Sequence, residues 1–90
     1  MNEFSFPHDE EAKEYFQRVA EWMVKLFNIS TEEAIGRINK VCEGQEYIGY
    51  DYIYRDNAKQ TAQNFYYEEG TYWWVDEWLA ENTPKPRPYP

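Results

Sequence analysis

The sequence predicts a mainly α fold: a single small core enclosed by about four helices, with a tyrosine-rich irregular segment before the third helix and a proline-rich C-terminal tail. Three observations carry that prediction. Apolar residues recur at three-and-four spacing through residues 7–27, as on one face of a helix. Helix start and stop signals then follow one another at Ser30, Gly44, Asp56 and Gly70. Finally, 90 residues are enough for one core but not for two, so residues 1–83 read as one domain and residues 84–90 as its tail.

The first helix is expected from Pro7 to Phe27. Ala12, Tyr15, Phe16, Val19, Trp22, Met23, Leu26 and Phe27 share its inner face. Asp9, Glu10 and Glu11 fill its first turn, where carboxylates meet the positive end of the helix dipole. Asn28-Ile29 interrupts the pattern. Ser30-Thr31-Glu32-Glu33 reads as a capping box opening a second helix, with Ala34, Ile35, Ile38, Val41 and Cys42 turned inward and Gly44 as its stop. Gly36 within that helix costs about 1 kcal/mol relative to alanine, which suits a site where another helix crosses closely.

Residues 47–54 (Tyr-Ile-Gly-Tyr-Asp-Tyr-Ile-Tyr) combine strand formers with a helical spacing of Tyr47, Tyr50 and Tyr54; periodicity does not separate the two, and an irregular or briefly extended connection over the helices is expected. Asp56 offers the cap of a third helix carrying Ala58, Ala62, Phe65 and Tyr66 and ending at Gly70. Thr71 offers the cap of a fourth, with Trp74, Val75, Trp78 and Leu79 on one face; a short strand over Tyr72 to Val75 is the competing assignment. From Pro84 prolines alternate, which forbids helix and favours an extended polyproline conformation lying on the aromatic surface or left mobile.

Charge and composition narrow the function classes. Seventeen acids against nine Lys and Arg give a net charge of −8, which disfavours contact with nucleic-acid phosphates and reads either as a solvated surface or as steering toward a basic partner. No run approaches the roughly 18 apolar residues of a membrane span, and the first residues lack the features of a signal peptide, so no membrane association and a cytoplasmic location are expected. Cys42 is the sole cysteine and reads as a buried, inert thiol.

A search for catalytic chemistry finds little. The sole histidine, His8, stands in an N-terminal charge cluster with Asp9 to Glu11, without the two-histidine spacing of metal sites. The carboxylate pairs Glu68-Glu69 and Asp76-Glu77 are adjacent residues, and neighbours on a helix point about 100° apart. No phosphate loop or dinucleotide fingerprint occurs. The chain is expected to be no enzyme, and to need neither cofactor nor metal.

What needs explaining is the aromatic content, 20% of the chain, with eleven rings between Tyr47 and Trp78. A core this small does not cover rings of about 150–250 Å² each, and Tyr and Trp are enriched at interface hot spots. An aromatic surface built from Tyr50, Tyr54, Tyr66, Tyr67, Trp73 and Trp74 is the expected binding face. The rings could simply roof a thin core, and two uses compete with that reading. One is contact with a protein partner or a second copy in a homodimer, in the manner of a small acidic inhibitor or immunity protein; the other is a cleft for a sugar or planar ligand.

The pattern Ile29-Ser30-x-x-Glu33-Ala34-x-x-Arg37-Ile38-Asn39, followed by Tyr66-Tyr67-x-x-Gly70-x-x-Trp73-Trp74 and a proline-rich end, resembles a group of small uncharacterised bacterial proteins. The likeness spans most of the chain. Arg55-Asp56 stands where the group carries an acidic pair. The resemblance implies a bacterial cytosolic origin and brings no activity with it.

Overall fold

Helix α1, Glu10–Phe27, is the element against which the second and third helices pack. The computed structural model describes residues 4–48, 57–68 and 70–89. Among these the further helices are α2 (Thr31–Val41), α3 (Ala58–Tyr66) and α4 (Asp76–Glu81), so the fold is mainly α, as the periodicity requires. α2 and α3 both lie against α1 and touch each other less extensively. Val19, Phe16 and Met23 from α1 meet Ile38 and Ala34 from α2 and Ala62 from α3 in a core from which water is excluded.

Helix limits follow local hydrogen bonding, and four differ from the sequence expectation. α1 begins at Glu10 instead of Pro7, because the Asp9 carboxylate accepts from Ala12 N at 2.9 Å and closes the helix there. Pro7 and His8 are thereby freed to run beside Tyr47: Tyr47 N donates to Pro7 O at 2.9 Å and Asp9 N to Tyr47 O at 3.1 Å. α3 is capped by Asn57, whose side chain accepts from Lys59 N at 2.8 Å, and it stops at Tyr66, well before Gly70. α4 starts at Asp76 with Val75 as an N-cap that offers no side-chain acceptor, so Thr71 caps nothing. Residues 73 and 74 form a turn in place of the strand that competed for this segment. At α2 the expected cap is present, Glu33 N donating to Ser30 Oγ at 3.0 Å, while the Glu33 carboxylate is spent on Arg37.

The segment before α1 contributes as much to the core as a helix face does. Phe4 and Phe6 are 2% and 4% exposed. Phe6 meets Phe16 edge-on at 5.2 Å between centroids, and Tyr47 closes the cluster at 5.4 Å from Phe6 and 5.1 Å from Phe16. His8 belongs to this packing: its Nδ1 donates to Phe6 O at 2.7 Å and its ring stands edge-on to Phe4. The Tyr15 hydroxyl reaches Thr61 Oγ1 at 2.5 Å, a buried polar tie between α1 and α3. Cys42 is fully buried; burial pushes its thiol up to about 11, with a hydrogen bond involving Tyr47 pulling it partly back. Trp22, expected on the inner face, is half-buried beneath the ammonium groups of Lys25 and Lys59.

The tail returns across α2 and α3 in extended form. Arg87 N donates to Tyr66 O at 2.7 Å and Glu68 N to Lys85 O at 3.0 Å, an antiparallel bridge centred on Tyr67 and Pro86. Its carbonyls are then taken by α2: Arg37 Nη1 donates to Arg87 O at 2.7 Å and Lys40 Nζ to Pro88 O at 3.2 Å. What crosses closely at Gly36 is the Tyr89 ring, where a neighbouring helix had been expected.

Candidate functional site

The end of α3 and the loop that follows carry a run of touching rings. Tyr66 stacks face to face on Phe27 of α1, centroids 3.7 Å apart and planes 4° from parallel. Tyr67 stands edge-on to both at 5.4 Å. From Tyr67 the run continues to Trp73 at 6.4 Å, to Trp74 at 5.4 Å, and on to Tyr72, which lies 5.6 Å from Trp74 and 6.2 Å from Trp78. Edge-to-face geometry dominates, the arrangement in which a positive ring edge meets a negative ring face. Each such pair adds about 0.5–1.5 kcal/mol beyond area burial, so the run supports itself without a helix packed behind it.

Exposure rises along this run. Tyr66 and Tyr67 are half-buried. Burial raises the Tyr67 phenol above its ordinary value, and the neighbouring Tyr66 adds to the shift. Trp73 is also half-buried, its indole N–H donating to Asn64 Oδ1 at 3.2 Å. At the far end Tyr72 is 50% and Trp74 59% exposed, and Leu79 on α4 is 38% exposed. Asp76, Glu77 and Glu81 are exposed on α4 next to these residues. A shallow groove runs over Tyr72, Val75 and Trp78 toward Glu77 and Glu81.

Of the residues expected to form the binding face, Tyr66, Tyr67, Trp73 and Trp74 are brought together, while Tyr50 and Tyr54 lie outside the described residues. The four do different work. Tyr66 is committed to Phe27 on one face and to the Arg37 guanidinium, 4.8 Å from its centroid, so it is a packing residue. Trp74 presents its ring outward. Tyr72 joins it, 5.6 Å away, and was absent from the expected set. Val75 N donates to Tyr72 O at 3.0 Å, closing a turn that holds the rings of Tyr72 and Trp74 5.6 Å apart. Helical spacing assigned to this stretch hid that proximity.

Beneath the run, between α3 and the loop, lies a cleft of about 280 Å³ lined by Tyr67, Trp73, Trp74, Asn64, Thr71 and Arg87. Arg37 and Arg87 were not singled out as organising residues. Arg37 is 8% exposed, its guanidinium between the rings of Tyr66 and Tyr89, 4.8 and 5.2 Å from their centroids, with Nε donating to Glu33 Oε2 at 2.8 Å. Arg87 Nη2 donates to Asn64 O at 3.0 Å. Among the described residues no three His, Cys, Asp or Glu side chains group as metal ligands, and no helix is long and apolar enough to cross a membrane. No protein-family model, no curated protein and no solved structure matches the chain.

Proposed function

We propose that this chain is a non-catalytic protein-interaction domain that receives a basic protein partner on the face formed by Tyr72 and Trp74. The observation that carries the reading is the exposure of Tyr72 and Trp74, 50% and 59%, whereas the other large rings among the described residues are covered more deeply. Aromatic anchors of this kind supply most of the binding energy at interfaces. The acids Asp76, Glu77 and Glu81 adjoin the face, and the net charge of −8 speeds encounter with a positively charged surface. A small acidic inhibitor or immunity-type protein has this combination of features.

The test uses purified chain against candidate basic proteins at two salt concentrations, with Trp74→Ala as the variant. Affinity should fall at least tenfold in the variant, the scale of a hot-spot residue, and the association rate should fall with salt. Affinity indifferent to both would sink the reading. Light scattering on the chain alone decides whether a second copy is the partner; a stable dimer abolished by Trp74→Ala would replace the foreign partner with self-association.

A second reading rests on the cleft of about 280 Å³ beside Tyr67 and Trp73, with Asn64, Thr71 and Arg87 as polar groups. Sugars and planar compounds suit such a lining, although its volume is at the small end for ligand sites. Tryptophan fluorescence across a metabolite panel tests it, and a flat response with an unchanged melting temperature would count against it.

A further inference from the structure

A groove of about 680 Å³ opens between the outer side of α2, the end of α3 and the tail, on a part of the protein that the aromatic run does not use. Its lining departs from the protein's overall charge. Arg37, Lys40 and Arg87 all border it, against a single acid, Glu68. Three of the nine cations of a chain with net charge −8 therefore face one groove.

Among the described residues two of the three charges have no carboxylate partner. Among the described residues Arg37 pairs with Glu33, whereas Lys40 and Arg87 direct donors at neutral carbonyls, Pro88 O and Asn64 O. A carbonyl satisfies one hydrogen of an ammonium or guanidinium and leaves the charge uncompensated. Arg87 Nε is, in addition, buried without an acceptor among the described residues. A buried donor left unpaired is costly and calls for an explanation by an ion or solvent. Besides these cations the groove offers the side chain of Phe65 from α3, Val41 from α2 and Pro88 from the tail, and the Gln45 amide.

We propose that this groove binds a small organic carboxylate: the charged head between Lys40 and Arg87, the apolar body against Phe65, Val41 and Pro88. The volume falls within the roughly 300–1,000 Å³ of small-molecule sites. A guanidinium fork recognises a planar carboxylate through paired hydrogen bonds, and Lys40, exposed and donating among the described residues to Pro88 O, retains donors for the same head. The site is independent of the protein-interaction reading, since neither Tyr72 nor Trp74 borders it.

The probe is benzoate, titrated into the ¹⁵N-labelled full-length chain at constant ionic strength, with benzyl alcohol as its neutral counterpart and chloride as the ionic control. Saturable shifts should appear at the amides of Lys40, Gln45, Phe65 and Arg87, with a dissociation constant on the order of 1 mM. Benzyl alcohol should bind about tenfold more weakly, and Lys40→Gln, a surface change that leaves the fold intact, should weaken benzoate about fivefold. Equal binding of benzyl alcohol would show an apolar groove without anion recognition. Chloride reproducing the shifts would show charge screening only. Either result, or benzoate binding untouched by Lys40→Gln, overturns the proposal.

Discussion

Replacing Gly36 by alanine should destabilise this protein, although alanine is the better helix former. A Cβ built on Gly36 would lie 2.8 Å from Tyr89 Cζ and 2.9 Å from Cε1, closer than side-chain atoms pack, so methyl and ring exclude each other. The helix gains about 1 kcal/mol from the substitution. Against this stands the Tyr89 ring: with 39% of the residue exposed, about three-fifths is covered. That is on the order of 100 Å² of a large aromatic side chain, or about 2–3 kcal/mol at ~25 cal/mol per Å². Its contact with the Arg37 guanidinium, 5.2 Å from the centroid, adds about 0.5–1 kcal/mol at a partly exposed site. Freeing a residue next to the chain end returns about 1–2 kcal/mol of conformational entropy, leaving the ring worth about 2 kcal/mol. Gly36→Ala should therefore cost about 1 kcal/mol in the natural chain, or roughly 4–8 °C in melting temperature for a domain of this size. In a Tyr89→Ala background the same change should stabilise by about 1 kcal/mol, since only the helix term survives. Urea and thermal melts of the four proteins of this double-mutant cycle give the coupling, expected near 2 kcal/mol. If Gly36→Ala stabilises both backgrounds equally, Tyr89 does not sit over Gly36 and the reasoning fails.

Two further outcomes follow from buried groups. Tyr15→Phe leaves Thr61 Oγ1 without the hydroxyl that it meets at 2.5 Å in the interior, so urea denaturation should show a loss of about 1–3 kcal/mol with little change in slope. Cys42, whose thiol is raised from 9.0 to about 11 chiefly by burial, keeps its proton in the folded state at pH values where the unfolded chain has released it. The folded state then binds more protons than the unfolded one, so stability falls as pH rises between about 9 and about 11, by at most ~1.4 kcal/mol per pH unit. Comparing urea midpoints at about pH 8 and about pH 10 for the natural chain and Cys42→Ala isolates this from the titrating tyrosines; the variant should lose part of the alkaline decline.

Legibility in the sequence tracked whether a feature depends on local or distant groups. The inner face of α1 was readable because Ala12, Tyr15, Phe16, Val19 and Met23 repeat at the helical period and are buried for that reason. The Ser30 cap was readable because its partner, Glu33 N, lies three residues on. Phe4 and Phe6 were not, since two aromatics spaced by one residue carry no periodic signal and their partners, Phe16 and Tyr47, are remote. The same distance hid Arg37. Its sequence neighbours suggest a surface charge, while its burial is caused by Tyr89 and the Arg87 carbonyl some fifty residues later. Gly36 was legible as a close approach, but the approaching group was not. At the candidate face Trp74 is an exposed ring next to Trp73, which in turn meets Tyr67, whereas Tyr72 was missed because the stretch was assigned helical spacing and is a turn.

The order of the exposed face depends on the tail more than on α4. α4 has six residues and buries none of them, and isolated helices this short do not hold themselves in water. What fixes Tyr72 and Trp74 is the chain of ring contacts above and, at the base, the pair of bonds that tie residues 66–68 to residues 85–87. Closing a loop at its base removes freedom that a partner would otherwise have to remove on binding, so the tie contributes to affinity without touching the partner. Arg87→Pro tests this: proline continues the extended backbone yet cannot donate to Tyr66 O, deleting the 2.7 Å bond of the pair. Amide relaxation should then show increased motion at Tyr72–Trp74, while the α1 and α2 amides stay as rigid as before. Arg87→Ala is the necessary companion, because it also removes the side-chain bond to Asn64 O but keeps the backbone donor. If both variants loosen the loop equally, the side chain and not the backbone bridge is the tie. If neither does, the rings alone hold the face in place and the tail is no more than a cover for α2.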